Sequence, residues 1–123
     1  MRMGRLTTHV LNTAEGVPGA GITLELYLES PDEAGAGRQL IKTVVTNDDG
    51  RCDSPLLEGE AFQKGTYELH FLAGDYFEAR GVSSAAPRFL DRVVLRFGLA
   101  DPDQHYHVPL LVSPYSYSTY RGS

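Results

Sequence analysis

The alternation across residues 21–28 constrains this chain more than any other feature. Ile22, Leu24, Leu26 and Leu28 fall on one side of an extended backbone, and Thr23, Glu25 and Tyr27 on the other. Successive side chains of a strand point to opposite faces, so this segment reads as a strand with one buried side. Residues 66–72 repeat the pattern, with Tyr67, Leu69 and Phe71 together. Glycine and proline punctuate the chain at short intervals between such segments, which is the pattern of a β-sandwich or barrel.

Further strands are expected at Leu6 to Asn12, Gln39 to Thr46, Arg92 to Phe97, Gln104 to Ser113 and Tyr115 to Tyr120. Residues 29–38 read as a polar hairpin loop. Asn47-Asp48-Asp49-Gly50 reads as a turn, because Gly and Asn tolerate positive φ and Asp bonds the backbone locally. Asp75 to Arg80 breaks the strand pattern and suits a short helix capped by Asp75. Pro109 lies inside the penultimate strand, where it cannot donate to a ladder, so an edge position or a bulge is expected.

At 123 residues and 41% hydrophobic composition, residues 1–123 suit a single ordered domain with one core. No apolar run approaches the ~20 residues of a membrane-crossing helix. The net charge is −5 and the basic residues are scattered, so neither a membrane nor nucleic acid is an expected partner. Cys52 has no second cysteine to pair with. It reads as a small, partly buried residue beside a turn more readily than as a nucleophile. Met1-Arg2-Met3-Gly4 opens on no apolar secretory segment, which makes the cytoplasm the expected location.

The histidines stand on particular faces. In the first strand Leu6, Thr8 and Val10 form one face, and Thr7, His9 and Leu11 the other. Near the C-terminus Val108, Leu110 and Val112 form a core face, with His105, His107, Leu111 and Ser113 opposite. His9 and His107 therefore point away from the core, onto a face that also carries Leu11 and Leu111. An outward face that is partly apolar asks for a cover, such as a second subunit. His105 and His107 at i, i+2 also match a metal-binding spacing. A lone histidine is usually only a hydrogen-bonded surface residue; His70, beside Glu68, reads as a surface pair.

Three blocks of sequence carry a resemblance. They are Leu6-Thr7-Thr8-His9-Val10-Leu11-Asn12-Thr13 with Gly16 and Pro18, then Thr46-Asn47-Asp48-Asp49-Gly50-Arg51, then the run from His105 to Ser123 that ends Tyr120-Arg121-Gly122-Ser123. In this order they resemble the signatures of the transthyretin-like 5-hydroxyisourate hydrolases, and the likeness covers nearly the whole chain. Phe89-Leu90-Asp91 departs from a Phe-Phe-Pro-type segment common in the family.

The resemblance implies an all-β fold: a transthyretin-type two-sheet β-sandwich with one short helix. It implies a homotetramer, a dimer of dimers, with active sites in a channel between dimers. The implied substrate is 5-hydroxyisourate, opened by water to 2-oxo-4-hydroxy-4-carboxy-5-ureidoimidazoline in urate catabolism, and no cofactor or metal is implied. The implied catalytic residues are His9, Arg51, His107 and Ser123, with His9, Arg51 and Tyr120 in contact with substrate. Such a reaction needs a base for water, a stabiliser for the oxyanion and an acid for the leaving nitrogen. Histidine suits the proton transfers near neutral pH. The fixed guanidinium fork of Arg51 suits the carbonyls, the bland alternative being a surface salt bridge to Asp48 or Asp49. Arg121 would be tied down by a carboxylate, such as the chain's own terminus, Tyr115 and Tyr117 would pack, and His105 would serve at an interface or behind the site.

Three other readings stay open, one of them a purely structural interaction domain that would show no turnover. A transthyretin-like carrier would bind an apolar ligand in the tetramer channel, and a metal protein would use His9, His105 and His107. What lines the site separates them.

Overall fold

A computed structural model describes residues 4–29, 37–82 and 85–122. Among them the strands are β1 (Arg5–Asn12), β2 (Val17–Pro18), β3 (Thr23–Glu29), β4 (Arg38–Val45), β5 (Leu57–Glu58), β6 (Gly65–Phe71), β7 (Val93–Leu99), β8 (Tyr106–Val112) and β9 (Tyr117–Ser118). One helix, α1 (Ala73–Ala79), lies between β6 and β7.

The strands form two sheets, one ordered β2-β1-β8-β9 with β5 also pairing β1, the other ordered β4-β3-β6-β7. The inner faces carry the expected side chains. Leu24 and Leu26 of β3, Tyr67, Leu69 and Phe71 of β6, Leu6 and Val10 of β1, and Val108, Leu110 and Val112 of β8 are all buried. Each fully buried leucine of this set contributes about 1.5–3 kcal/mol relative to exposure. The fold is thus the all-β, two-sheet sandwich with one short helix.

One pairing has no signal in the periodicity. β1 and β8 run parallel, in register from Leu6↔Tyr106 to Asn12↔Val112, so the two ends of the chain meet in one sheet. Thr8 Oγ1 donates across this seam to the Val108 carbonyl at 2.7 Å.

Several local expectations change. The helix begins at Ala73, its N-cap is Leu72 with no side-chain cap, and Asp75 lies in its first turn. Asp75 instead pairs with Arg88, which also binds Asp91 and Glu78. The expected strand Tyr115 to Tyr120 shrinks to Tyr117–Ser118. Pro109 explains the loss, although β8 is not an edge strand. Leu111↔Ser118 and His107↔Gly122 share one antiparallel register, which would place Tyr120 opposite Pro109. Proline has no N–H to give there. Thr119 Oγ1 donates to the Pro109 carbonyl instead, at 2.7 Å. The hairpin loop expected at 29–38 falls largely outside the described residues.

His70 is also more than a surface pair. Its Nε2 lies 2.7 Å from Glu68, but the ring is only 3% exposed, beneath Tyr27 at 4.5 Å between ring centroids. Around it Arg92 binds Glu25, Arg38 binds Glu68 and Arg96 binds Glu29, which clothes the outer face of β3, β6 and β7 in charge. The outer face of the other sheet carries the remaining chemistry.

Candidate active site

Strand alternation and the parallel register assemble the site. Thr7 and His9 project from the outer face of β1, and His107 projects from the same face of β8, directly across from Thr7. Residues Arg51 and His9 form an isolated antiparallel bridge, which brings the turn after β4 alongside β1.

That turn is rigid for identifiable reasons. Asn47 Oδ1 accepts from the amides of Asp49 and Arg51 at 2.9 and 3.1 Å, and the Asn47 amide donates to the Arg51 carbonyl at 2.7 Å. Gly50 has φ +76°, and a Cβ there would stand 2.4 Å from the Val10 carbonyl oxygen. Glycine alone fits both constraints. The Gly50 carbonyl accepts from the Val10 amide at 2.8 Å, locking the turn onto β1. Arg51 is thereby held beside His9 with its side chain exposed. Among the described residues its guanidinium makes no ion pair, so the surface salt bridge to Asp48 or Asp49 is absent.

The histidines are fixed by different partners. His9 Nε2 lies 2.8 Å from the Asp49 carbonyl oxygen. A carbonyl only accepts, so Nε2 carries the proton and the lone pair of neutral His9 is on Nδ1. His107 Nδ1 lies 2.8 Å from Thr7 Oγ1. Partial burial, then the cation of Arg51, then His9, hold the His107 pKa below its ordinary 6.5. His107 is therefore neutral at pH 7, the form a general base requires.

An open cleft of about 420 Å³ is lined by residues that include Arg5, Thr7, Arg51, Cys52, His105 and His107. His9 reaches the Arg51–His107 group from its side rather than from the cleft wall. Burial pushes the Cys52 thiol above its ordinary range, which disfavours a thiolate nucleophile. Among the described residues no three His, Cys, Asp or Glu side chains converge to hold a metal ion, so the His9–His105–His107 alternative lacks a ligand set there.

The C-terminal segment packs against His107. The Gly122 amide donates to the His107 carbonyl at 2.7 Å, and the His107 amide donates back at 3.1 Å. A Cβ on Gly122 would meet His107 Cβ at 3.1 Å and Cδ2 at 3.3 Å, so the bare backbone lies against the imidazole. Arg121 is held by the Gln104 side chain and the His105 carbonyl, both at 3.1 Å, and stacks 4.3 Å over Tyr106. Its anchors among the described residues are thus neutral groups and a ring, and the chain's terminal carboxylate lies outside those residues. Tyr120 is 61% exposed and lines a separate groove with Leu95, Phe97 and Thr119, away from the cleft of its own chain. Ser123 lies outside the described residues.

The structure therefore brings together His9, Arg51 and His107 and leaves Tyr120 apart. The reading of the sequence missed Thr7 and the close approach of Gly122. Thr7 shares the outward face with His9, but only the parallel register reveals its partner.

A family model described as HIUase/Transthyretin family matches residues 6–122. The chain is 63% identical over 121 residues to a 5-hydroxyisourate hydrolase of Pseudomonas aeruginosa, covering 98% of this chain and 93% of that protein. Among solved structures, an (S)-allantoin synthase superposes with a TM-score of 0.92 at 48% identity. That match covers 99% of this chain but 44% of the synthase, so this chain spans under half of it. The 5-hydroxyisourate hydrolase of Klebsiella pneumoniae superposes with a TM-score of 0.78 at 30% identity, covering 98% of this chain and all of that one. The two-sheet fold, the site built across its parallel seam and these likenesses lead to one assignment: the chain belongs to the HIUase/Transthyretin family.

Proposed function

We propose that this protein is a 5-hydroxyisourate hydrolase, acting on that substrate as its relatives are named for doing. The observation that carries the reading is the cleft where Arg51, unpaired among the described residues, faces a neutral His107. An apolar ligand carrier has no use for a free cation beside a neutral imidazole, whereas hydrolysis of a cyclic amide uses both.

In the proposed mechanism His107 Nε2 takes a proton from water as the water oxygen attacks a ring carbonyl. Arg51 donates to the oxygen that becomes negative, in a site where fixed donors need no reorganisation. The C–N bond then breaks, the electron pair passes to the ring nitrogen, and that nitrogen takes the proton that His107 Nε2 accepted, which returns the imidazole to its neutral form. The product is 2-oxo-4-hydroxy-4-carboxy-5-ureidoimidazoline. His9 supports this centre from beside Arg51. Its Nδ1 is free for a proton transfer because Nε2–H is committed to the Asp49 carbonyl. Ser123, the next residue in sequence after Gly122, is proposed to add a hydroxyl to the site.

The outward face that carries His9, Leu11, His107 and Leu111 is only partly covered within one chain. We place it at the channel of a homotetramer, where Tyr120 could contact substrate only from another subunit.

The test generates 5-hydroxyisourate in place from urate with urate oxidase and follows its ultraviolet decay. Decay should exceed the spontaneous rate, and His107→Ala should slow turnover by about 10²–10⁴-fold, the usual worth of a positioned base. His9→Ala should also slow it. A folded protein that leaves the spontaneous rate unchanged would return the carrier reading to first place.

A further inference from the structure

Thr7 and His107 are 100 residues apart in sequence and side by side in the β1–β8 register, with Oγ1 and Nδ1 at 2.8 Å. We propose that Thr7 is a positioning residue: its hydroxyl oxygen accepts the Nδ1–H of neutral His107 and so leaves the Nε2 lone pair bare toward the cleft. The inference deepens the reading of His107 as the base and rests on it.

The chemistry is that of tautomer selection. Neutral imidazole carries one proton, and the hydrogen bond at one nitrogen decides which nitrogen keeps it. A base must present a lone pair to water. With no partner at Nδ1, histidine prefers its proton on Nε2, and an N–H directed at water cannot take a further proton. Thr7 is the hydrogen-bond partner of the His107 ring among the described residues. Its oxygen can accept from Nδ1 while its own O–H turns to solvent at the cleft wall that it lines. When Nε2 gains a proton, the Nδ1–H···Oγ1 bond persists, so the ring changes charge without turning.

The surroundings offer no substitute. Arg51 and His9 act on the ring through charge. Arg5, Cys52, Asp53 and His105 share the cleft, and Gly122 covers the Cγ–Cδ2 edge. The neighbouring Thr8 points inward and spends its hydroxyl on the Val108 carbonyl.

The test pairs a spectroscopic measurement with kinetics. Long-range ¹H–¹⁵N correlation on imidazole-labelled protein, at a pH above the His107 titration, reports which ring nitrogen bears the proton. Wild type should show Nδ1–H, Thr7→Val should shift to Nε2–H, and Thr7→Ser should restore Nδ1–H. In parallel, Thr7→Val should lower kcat roughly 10- to 100-fold, within the range a general base supplies, with little change in KM. Thr7→Ser should recover most of that loss. A wild-type ring protonated on Nε2, or a valine variant that keeps the wild-type tautomer, overturns the proposal. So does a loss confined to KM, which would make Thr7 a substrate contact. If the tautomers behave as expected and the substrate is not turned over, the positioning stands and the assignment of the base falls.

Discussion

His107 is poised by its neighbours rather than by its own chemistry. Burial and the Arg51 cation both penalise the imidazolium, so the folded chain binds fewer protons than the unfolded chain just below pH 6.5. The contribution of this group to stability is complete above the unfolded value and is lost as pH falls through the lower folded value. The same titration governs the proposed base, so an NMR titration of the His107 ring should give a midpoint below 6.5. Arg51→Gln should move that midpoint upward by removing the cation. An unmoved midpoint would show that Arg51 does not act on the ring.

At the scale of elements, the turn at residues 47–51 and the strand β8 carry most of the positioning. Gly50→Ala combines a positive φ with a clash against the Val10 carbonyl. It should destabilise the fold by about 1–3 kcal/mol, read as a lower urea midpoint with an unchanged m-value. The gap opposite Pro109 predicts an uneven tail. The Gly122 amide, bonded to the His107 carbonyl, should exchange with solvent more slowly than the Tyr120 amide, which faces a residue unable to complete the pair. Equal exchange at both positions would mean that the tail does not hold this register.

The same elements show what the sequence could and could not reveal. Ile22, Leu24 and Leu26 announce β3 because one face is buried and the other wet, and Tyr67, Leu69 and Phe71 do so for β6. The helix start was misplaced because Leu72, not a polar cap, begins it. His70 looked exposed because alternation tells a face, not what lies over it; Tyr27 and Arg92 cover it. His9, Arg51 and His107 were legible through motifs. Thr7 was not, because its role depends on a pairing between chain ends that no local pattern encodes.

The whole molecule divides its labour between two outer faces. The face of β3, β6 and β7 is neutralised by its own ion pairs, with Glu25, Glu29 and Glu68 all matched to arginines. On the other sheet the outer face keeps Arg51, unpaired among the described residues, a neutral His107 and partly covered leucines. Charge that is satisfied within the chain leaves no free ionic group on that face among the described residues, whereas the second face keeps one beside the His107 ring.

The parallel seam between β1 and β8 also makes assembly of the site a late event in folding. The proposed base and its hydroxyl partner are separated by nearly the entire chain, and the arginine comes from the middle. Contacts this distant in sequence form slowly, because the loop between them must close before they are rewarded. After dilution from denaturant, turnover should return no sooner than the slowest phase that buries the core. Activity that returned earlier would mean that the site can assemble without the sandwich.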